Sequence, residues 1–193
     1  MSDRMNRIAV IIAIAVAAAV VVYGVTSGSR GRDAGATVPV GVAGEEIAWL
    51  EVPLPAAEFR DVSGEVVRLE EYSGQIVLLN FWGTWCPPCL VEIPHLIQVQ
   101  KSIADLGATV IGPAIGSGSG EDVARFGRRQ GINYPLWVSD DATAVARFGA
   151  PGYPFSLLID RDGMIRARYA GPRTSAIFLR DIRALSEMQP PGE

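Results

Sequence analysis

Both cysteines of the chain sit in Trp85-Cys86-Pro87-Pro88-Cys89. A pair spaced i, i+3 on the first turn of a helix has its α-carbons roughly 5–6 Å apart, within reach of a disulfide. Prolines are tolerated at that turn because its N–H groups lack intrahelical acceptors. The pattern therefore describes a dithiol that can close and reopen. Cys86, at the helix cap, is expected to be exposed and to act as the attacking thiolate. Cys89, one turn in, is expected to resolve the mixed disulfide. The helix dipole stabilises a thiolate there by about 1 kcal/mol, which lowers the thiol pKa by roughly one unit. Leu90 and Val91 follow the pair, and no lysine or arginine comes before Lys101. Little further charge favours the thiolate, so the couple is expected to be reducing.

Two other uses of the pair stand beside this one. A permanent i, i+3 disulfide closes too short a loop to restrict the unfolded chain much. With His95, the chain's single histidine, the cysteines offer at most three metal ligands, one short of a closed zinc site. No metal and no cofactor is expected.

The elements around the pair fit a positioning scaffold. Residues 75–82 form a near-continuous apolar run bounded by glycines, which suits a central strand buried on both faces. Residues 87–106 repeat apolar side chains at helical spacing. Strands are read at 59–62 and 65–69 around Ser63-Gly64, at 108–115, at 136–138, and in a closing hairpin at 155–159 and 164–169. Residues 116–120 (GSGSG) read as a flexible loop. Helices are read at 121–130, 141–148 (capped by Asp140 or Asp141) and 174–188. Strands alternating with helices predict an α/β fold with a mostly parallel sheet and an antiparallel edge.

Residues 8–29 carry no charge over 22 positions. As a helix they span roughly 33 Å, enough to cross a bilayer. Arg4 and Arg7 precede the run, as a cytoplasmic N-terminus requires. Residues 1–26 are thus expected to be a membrane anchor, with a cleaved signal as the rival reading. Residues 27–52 read as a flexible linker with a reach of roughly 30 Å. Residues 53–188 form the domain and 189–193 a tail. Of 193 residues, 17 are basic and 21 acidic, a net charge of −4 with no basic block, which argues against a nucleic-acid partner.

The stretch from Gly74 to Cys89, with Glu92-Ile93-Pro94 after it, resembles the TlpA/ResA/DsbE-type thiol–disulfide oxidoreductases, membrane-anchored or exported relatives of thioredoxin. Gly152-Tyr153-Pro154 followed by Phe155-Ser156 and, further on, Asp162-Gly163 is a second match. The resemblance implies a thioredoxin-like fold: a mixed central sheet flanked by helices, with an N-terminal hairpin extension and one transmembrane helix. It implies that Cys86 is the nucleophile and Cys89 the resolving cysteine, and that Glu92 tunes the thiols. It implies a cis-Pro154 facing them, with the Tyr153 backbone pairing with substrate and Trp85, Pro87 and Pro88 around the docking site. Burial of Glu92 would raise its pKa and let it hold or pass a proton. Asn80 stands where thioredoxins carry a buried acid. Gln75, Leu90 and Phe155-Ser156 depart from the family's usual residues.

The activity implied is reduction of protein disulfides on the periplasmic side of the inner membrane, with apocytochrome c among the substrates. A membrane thiol transporter of the DsbD/CcdA type is the implied electron donor. A disulfide oxidase or isomerase on the same fold, and a copper-binding chaperone using both thiols as soft ligands, are the alternatives. No Pro-x-x-x-Thr-x-x-Cys arrangement of a peroxidase occurs.

Overall fold

The computed structural model describes residues 49–189. The expected membrane helix, residues 1–26, and most of the linker lie outside them, as do residues 190–193. No helix among the described residues is long and apolar enough to cross a membrane.

The strands are β1 (Val52–Pro53), β2 (Glu58–Asp61), β3 (Val66–Arg68), β4 (Ile76–Phe81), β5 (Ala108–Ile115), β6 (Leu136–Ser139), β7 (Phe155–Ile159) and β8 (Met164–Ala170). The helices are α1 (Pro87–Ser102), α2 (Gly120–Gln130), α3 (Asp141–Phe148) and α4 (Ser175–Met188). One sheet contains every strand, in the order β1-β8-β7-β4-β5-β6-β2-β3. Every residue of β4 is buried, as its unbroken apolar run requires.

The sheet is mixed, and mostly antiparallel by pairing, which corrects the expectation of a mostly parallel one. Only β4–β5 and β5–β6 run parallel. Those are the two connections that cross back through a long helix, α1 and α2. After α3 the chain enters beside β4 in the opposite direction, with Leu79 opposite Leu157 and Phe81 opposite Phe155. The N-terminal hairpin β2–β3 joins the far edge antiparallel to β6.

Alternate residues of β4 feed two cores. Ile76 and Leu78 face Leu96 and Val99 of α1 and Phe178, Ile182 and Leu185 of α4. Val77, Leu79 and Phe81 face Phe59, Trp137 and Phe148. Each of these side chains contributes about 1.5–3 kcal/mol when fully buried.

Several boundaries differ from those expected. The last residues of the predicted linker belong to the domain: Val52 pairs with Ile165, and the Leu50 N–H bonds to the Arg166 carbonyl at 2.7 Å. A two-residue strand is too short to show a period. Gly120, read as loop, opens α2, because Ser119 and Asp122 form a reciprocal capping box one residue earlier than expected. Gln189, read as tail, caps α4 and donates to Asp160 at 3.2 Å and Asp162 at 3.0 Å. The helix read to residue 106 ends at Ser102, and a separate 3₁₀ turn, Ala104–Leu106, follows.

Candidate active site

The chain leaves β4 at Phe81 and turns at Gly83, whose carbonyl accepts the Cys86 N–H at 3.1 Å. Cys86 is the cap of α1, with Pro87 and Pro88 as its first two residues. The cysteines are joined in a disulfide with α-carbons 5.3 Å apart. The prolines supply no N–H, and the first amide of the helix, on Cys89, is already bonded to the Cys86 carbonyl at 3.0 Å. The donors that usually concentrate positive potential at a helix N-terminus are therefore depleted beside this sulfur.

Cys86 is not exposed as expected. It is 3% accessible and Cys89 1%. The cap position alone would expose the sulfur, but side chains from other segments close over it. Trp82, Ile93, Ala114 and Val123 share the cluster with both cysteines, and Tyr153 packs against it. Trp82 lies within this core, with its indole N–H on the Gly112 carbonyl at 3.2 Å.

Trp85 is 55% exposed. Its indole N–H bonds to the Ile115 carbonyl at 2.9 Å, and its ring meets Tyr153 edge-on at 5.9 Å. A methyl group on Gly83 would stand 2.7 Å from that ring, so the indole lies flat on bare backbone. Sequence reasoning missed Ser117. Its hydroxyl accepts the Thr84 N–H at 3.0 Å and donates to the Ile115 carbonyl at 3.0 Å, pinning the loop before the cysteines to the end of β5. Pro87 and Pro88 are exposed beside this platform, and Leu90 and Val91 follow them at the surface.

The Tyr153–Pro154 peptide is cis, and Pro154 is buried. The Tyr153 hydroxyl donates to Asp141 Oδ1 at 2.6 Å, tying the segment before β7 to the first turn of α3. Burial, and then that bond, push the phenol's pKa well up. His95 is half-buried on α1.

Glu92 lies one turn beyond Cys89 and is 1% accessible. Asn80 donates to Oε2 at 2.8 Å, and the Arg173 backbone N–H donates to Oε1 at 2.7 Å. The Asn80 amide also donates to Ser156 Oγ at 2.8 Å. Burial raises the Glu92 pKa to about 7, and the two donors and the Arg173 charge hold it from rising further. A carboxyl poised there can take and return a proton near neutral pH. The contribution of Arg173 is not legible in the sequence, since a backbone N–H donor leaves no trace in residue type, and the contacts of Asn80 with Glu92 and Ser156 form only once β4, β7 and α1 are packed together.

A disulfide, a buried carboxyl one helical turn beyond Cys89 and a cis-proline segment whose Tyr153 packs against the cysteine cluster form a site for thiol–disulfide exchange. Comparison with known proteins agrees. The AhpC/TSA family model matches residues 50–168. The thiol-disulfide oxidoreductase ResA of Halalkalibacterium halodurans is 33% identical over 115 residues, 59% of this chain and 64% of that protein. The match thus spans less than two thirds of that relative. ResA of Geobacillus thermodenitrificans is 30% identical over 125 residues, 65% of this chain and 71% of that one. Among solved structures, a thioredoxin-family thiol:disulfide interchange protein from Chlorobium tepidum aligns with a TM-score of 0.62 at 31% identity, over 71% of this chain and 97% of that one. A DsbF homologue from Corynebacterium diphtheriae aligns at 0.64 and 26% identity, over 81% and 98%. The chain belongs to the AhpC/TSA family and, within it, to the thioredoxin-like thiol–disulfide oxidoreductases of the ResA type.

Proposed function

We propose that this protein is a protein-disulfide reductase, tethered to the inner membrane by residues 1–26 and working on the periplasmic side. The supporting observation is the electrostatic setting of the pair. A buried carboxyl stands behind Cys89, and two prolines remove the helix N–H groups nearest Cys86. Neither favours a thiolate. A dithiol whose reduced, ionised form is poorly stabilised gives up its electrons readily.

In the reductive half-cycle the Cys86 thiolate attacks one sulfur of the target disulfide. An S–S bond to the target forms, and the other target sulfur leaves as a thiolate. Cys89 then passes its proton to Glu92 and attacks Cys86 Sγ. The Cys86–Cys89 bond forms, the mixed disulfide breaks, and the second target sulfur leaves. Each departing thiolate takes up a proton, the second one from Glu92. The target gains two electrons and the protein loses two. The Tyr153 backbone beside cis-Pro154 pairs with the extended target segment, in the manner of strand addition, and Trp85, Pro87 and Pro88 form the apolar rim. Targets are protein disulfides, those of apocytochrome c included. A membrane thiol transporter of the DsbD/CcdA type returns the electrons, because an oxidising compartment would otherwise hold the pair closed.

The test is equilibration of the full chain with graded thiol buffers, together with titration of Cys86 in the reduced protein. A potential nearer that of thioredoxin, about −270 mV, than that of DsbA, about −120 mV, supports the reductase. A potential near DsbA with a strongly acidic Cys86 thiol makes the protein an oxidase and overturns the proposal.

A further inference from the structure

The loop between β8 and α4 is built around Glu92 although it lies some 80 positions further along the chain. It is held at several points. The Gly171 N–H bonds to the Pro154 carbonyl at 2.9 Å, fixing the loop to the cis-proline segment. Gly171 has φ +81°, a backbone region that a residue with a side chain enters only with strain. The Arg173 guanidinium folds back toward its own loop, donating to the Pro172 carbonyl at 3.1 Å and, more weakly, to the Gly171 carbonyl at 3.4 Å. The Arg173 N–H then meets Glu92 Oε1 at 2.7 Å. On the other side, the Asn80 amide donates to both Oε2 and Ser156 Oγ. Both carboxylate oxygens thus face N–H donors, an arrangement that favours the ionised form.

We propose that Arg173 is a positioning residue for thiol–disulfide exchange: its N–H and its positive charge set when Glu92 carries a proton, and so when Cys89 can give one up. This rests on the reading of Glu92 as the proton acceptor of the reductase. Among the described residues, the other ionisable groups beside Glu92 are Tyr134, which precedes β6 and whose ring packs over Gly112, and Cys89, one turn back on its own helix. Tyr134 is neutral across the working range, since burial drives its pKa well up. In the oxidised protein the cysteines do not titrate, which leaves Arg173, among the described residues, as the charge that a substitution can remove.

The experiment follows the Glu92 carboxyl carbon by NMR against pH in the oxidised full chain, with Glu92→Gln assigning the signal. Arg173→Gln, which keeps the backbone N–H and a polar side chain but not the charge, should raise the midpoint by about half a unit or more. At pH 7 that lowers the ionised fraction from about a half to about a quarter. Arg173→Lys should restore the wild-type midpoint. In the reduced protein, Arg173→Gln should also shift the pH profile of Cys86 alkylation, and should leave it unshifted in a Glu92→Gln background. An unmoved carboxyl midpoint in Arg173→Gln overturns the proposal. So does an equal alkylation shift with and without Glu92, which would place the effect of Arg173 on the thiols themselves. If Arg173→Gln fails to fold, Arg173→Met carries the same comparison. The carboxyl titration needs no turnover, so an oxidising potential would reject the reductase without touching this result.

Discussion

Glu92→Gln should make the protein more stable, and increasingly so as pH rises. The carboxyl has an ordinary pKa of 4.5 and is raised to about 7 in the fold, chiefly by burial. Between those two values the folded protein binds a proton that the unfolded chain has released. Stability from this group is therefore fully present below pH 4.5 and is lost as pH rises through about 7. At 1.36 kcal/mol per unit, the raised pKa corresponds to about 3 kcal/mol. The substituted amide has no charge to bury. It keeps its partners if the Asn80 amide turns over, with Asn80 Oδ1 accepting from the new amide N–H and the Ser156 hydroxyl rotating to serve the turned group. The assay is urea unfolding of the oxidised full chain from about pH 4 to pH 8.5, followed by tryptophan fluorescence. The closed disulfide removes thiol titration, and all other carboxyls cancel in the difference between the two proteins. With an m-value of about 2 kcal/mol/M, the variant's midpoint should gain about 1.5 M of urea on the wild type across that range. A constant offset between the two curves would refute the burial argument for Glu92.

Two further substitutions test the frame that holds the site. Ser117→Ala leaves the Thr84 N–H and one lone pair of the Ile115 carbonyl without this partner. It should cost about 1 kcal/mol in urea unfolding and slow reduction of a protein disulfide more than that of a small one, because Trp85 shares the same carbonyl. Gly120→Ala would put a methyl 2.3 Å from the Val62 carbonyl oxygen, a backbone atom that cannot rotate aside. It should destabilise by about 2 kcal/mol or more through displacement of α2, while a stability equal to wild type would show that the two segments part freely.

What the sequence shows of this fold is whatever is written locally. The apolar run of β4 and the glycines around it mark a central strand, because burial on both faces leaves no polar position to alternate with. The prolines after Cys86 mark one helix start, and Asp140 marks another, its carboxylate accepting the Thr143 N–H at 2.6 Å. The direction of β7 is not written locally. It depends on how far α3 carries the chain across the sheet, and an eight-residue helix permits either sense. The burial of Cys86 is equally non-local, since the cluster that holds it draws Ala114 and Val123 from other segments and has Tyr153 packed against it. Glu92 illustrates both cases. Its place on the apolar side of α1 is readable from spacing, whereas the loop that grips it is found only once β8 and α4 are folded.

On the proposed reductase reading, two features of this site push the redox couple in one direction. In a pair whose helix begins with free N–H groups and a nearby cation, the thiolate is stabilised and the reduced form accumulates, so the disulfide is a strong oxidant. Here Pro87 and Pro88 take away the donors, and the buried carboxyl adds a group that repels any thiolate formed on Cys89 once it is itself ionised. The disulfide is then the favoured partner in the equilibrium, and the dithiol is the one that reacts. The same carboxyl keeps the reaction from stalling. Cys89 must lose its proton to break the mixed disulfide, and a residue 1% accessible in the closed pair is better served by a buried base beside it than by bulk water. A carboxyl with a pKa of about 7 accepts that proton without holding it. An acid of ordinary pKa would be too weak a base, and a buried lysine would stabilise the thiolate and reverse the direction of transfer. On that reading one side chain sets the poise and carries the proton, and its grip by Asn80 and by the Arg173 loop bears on both.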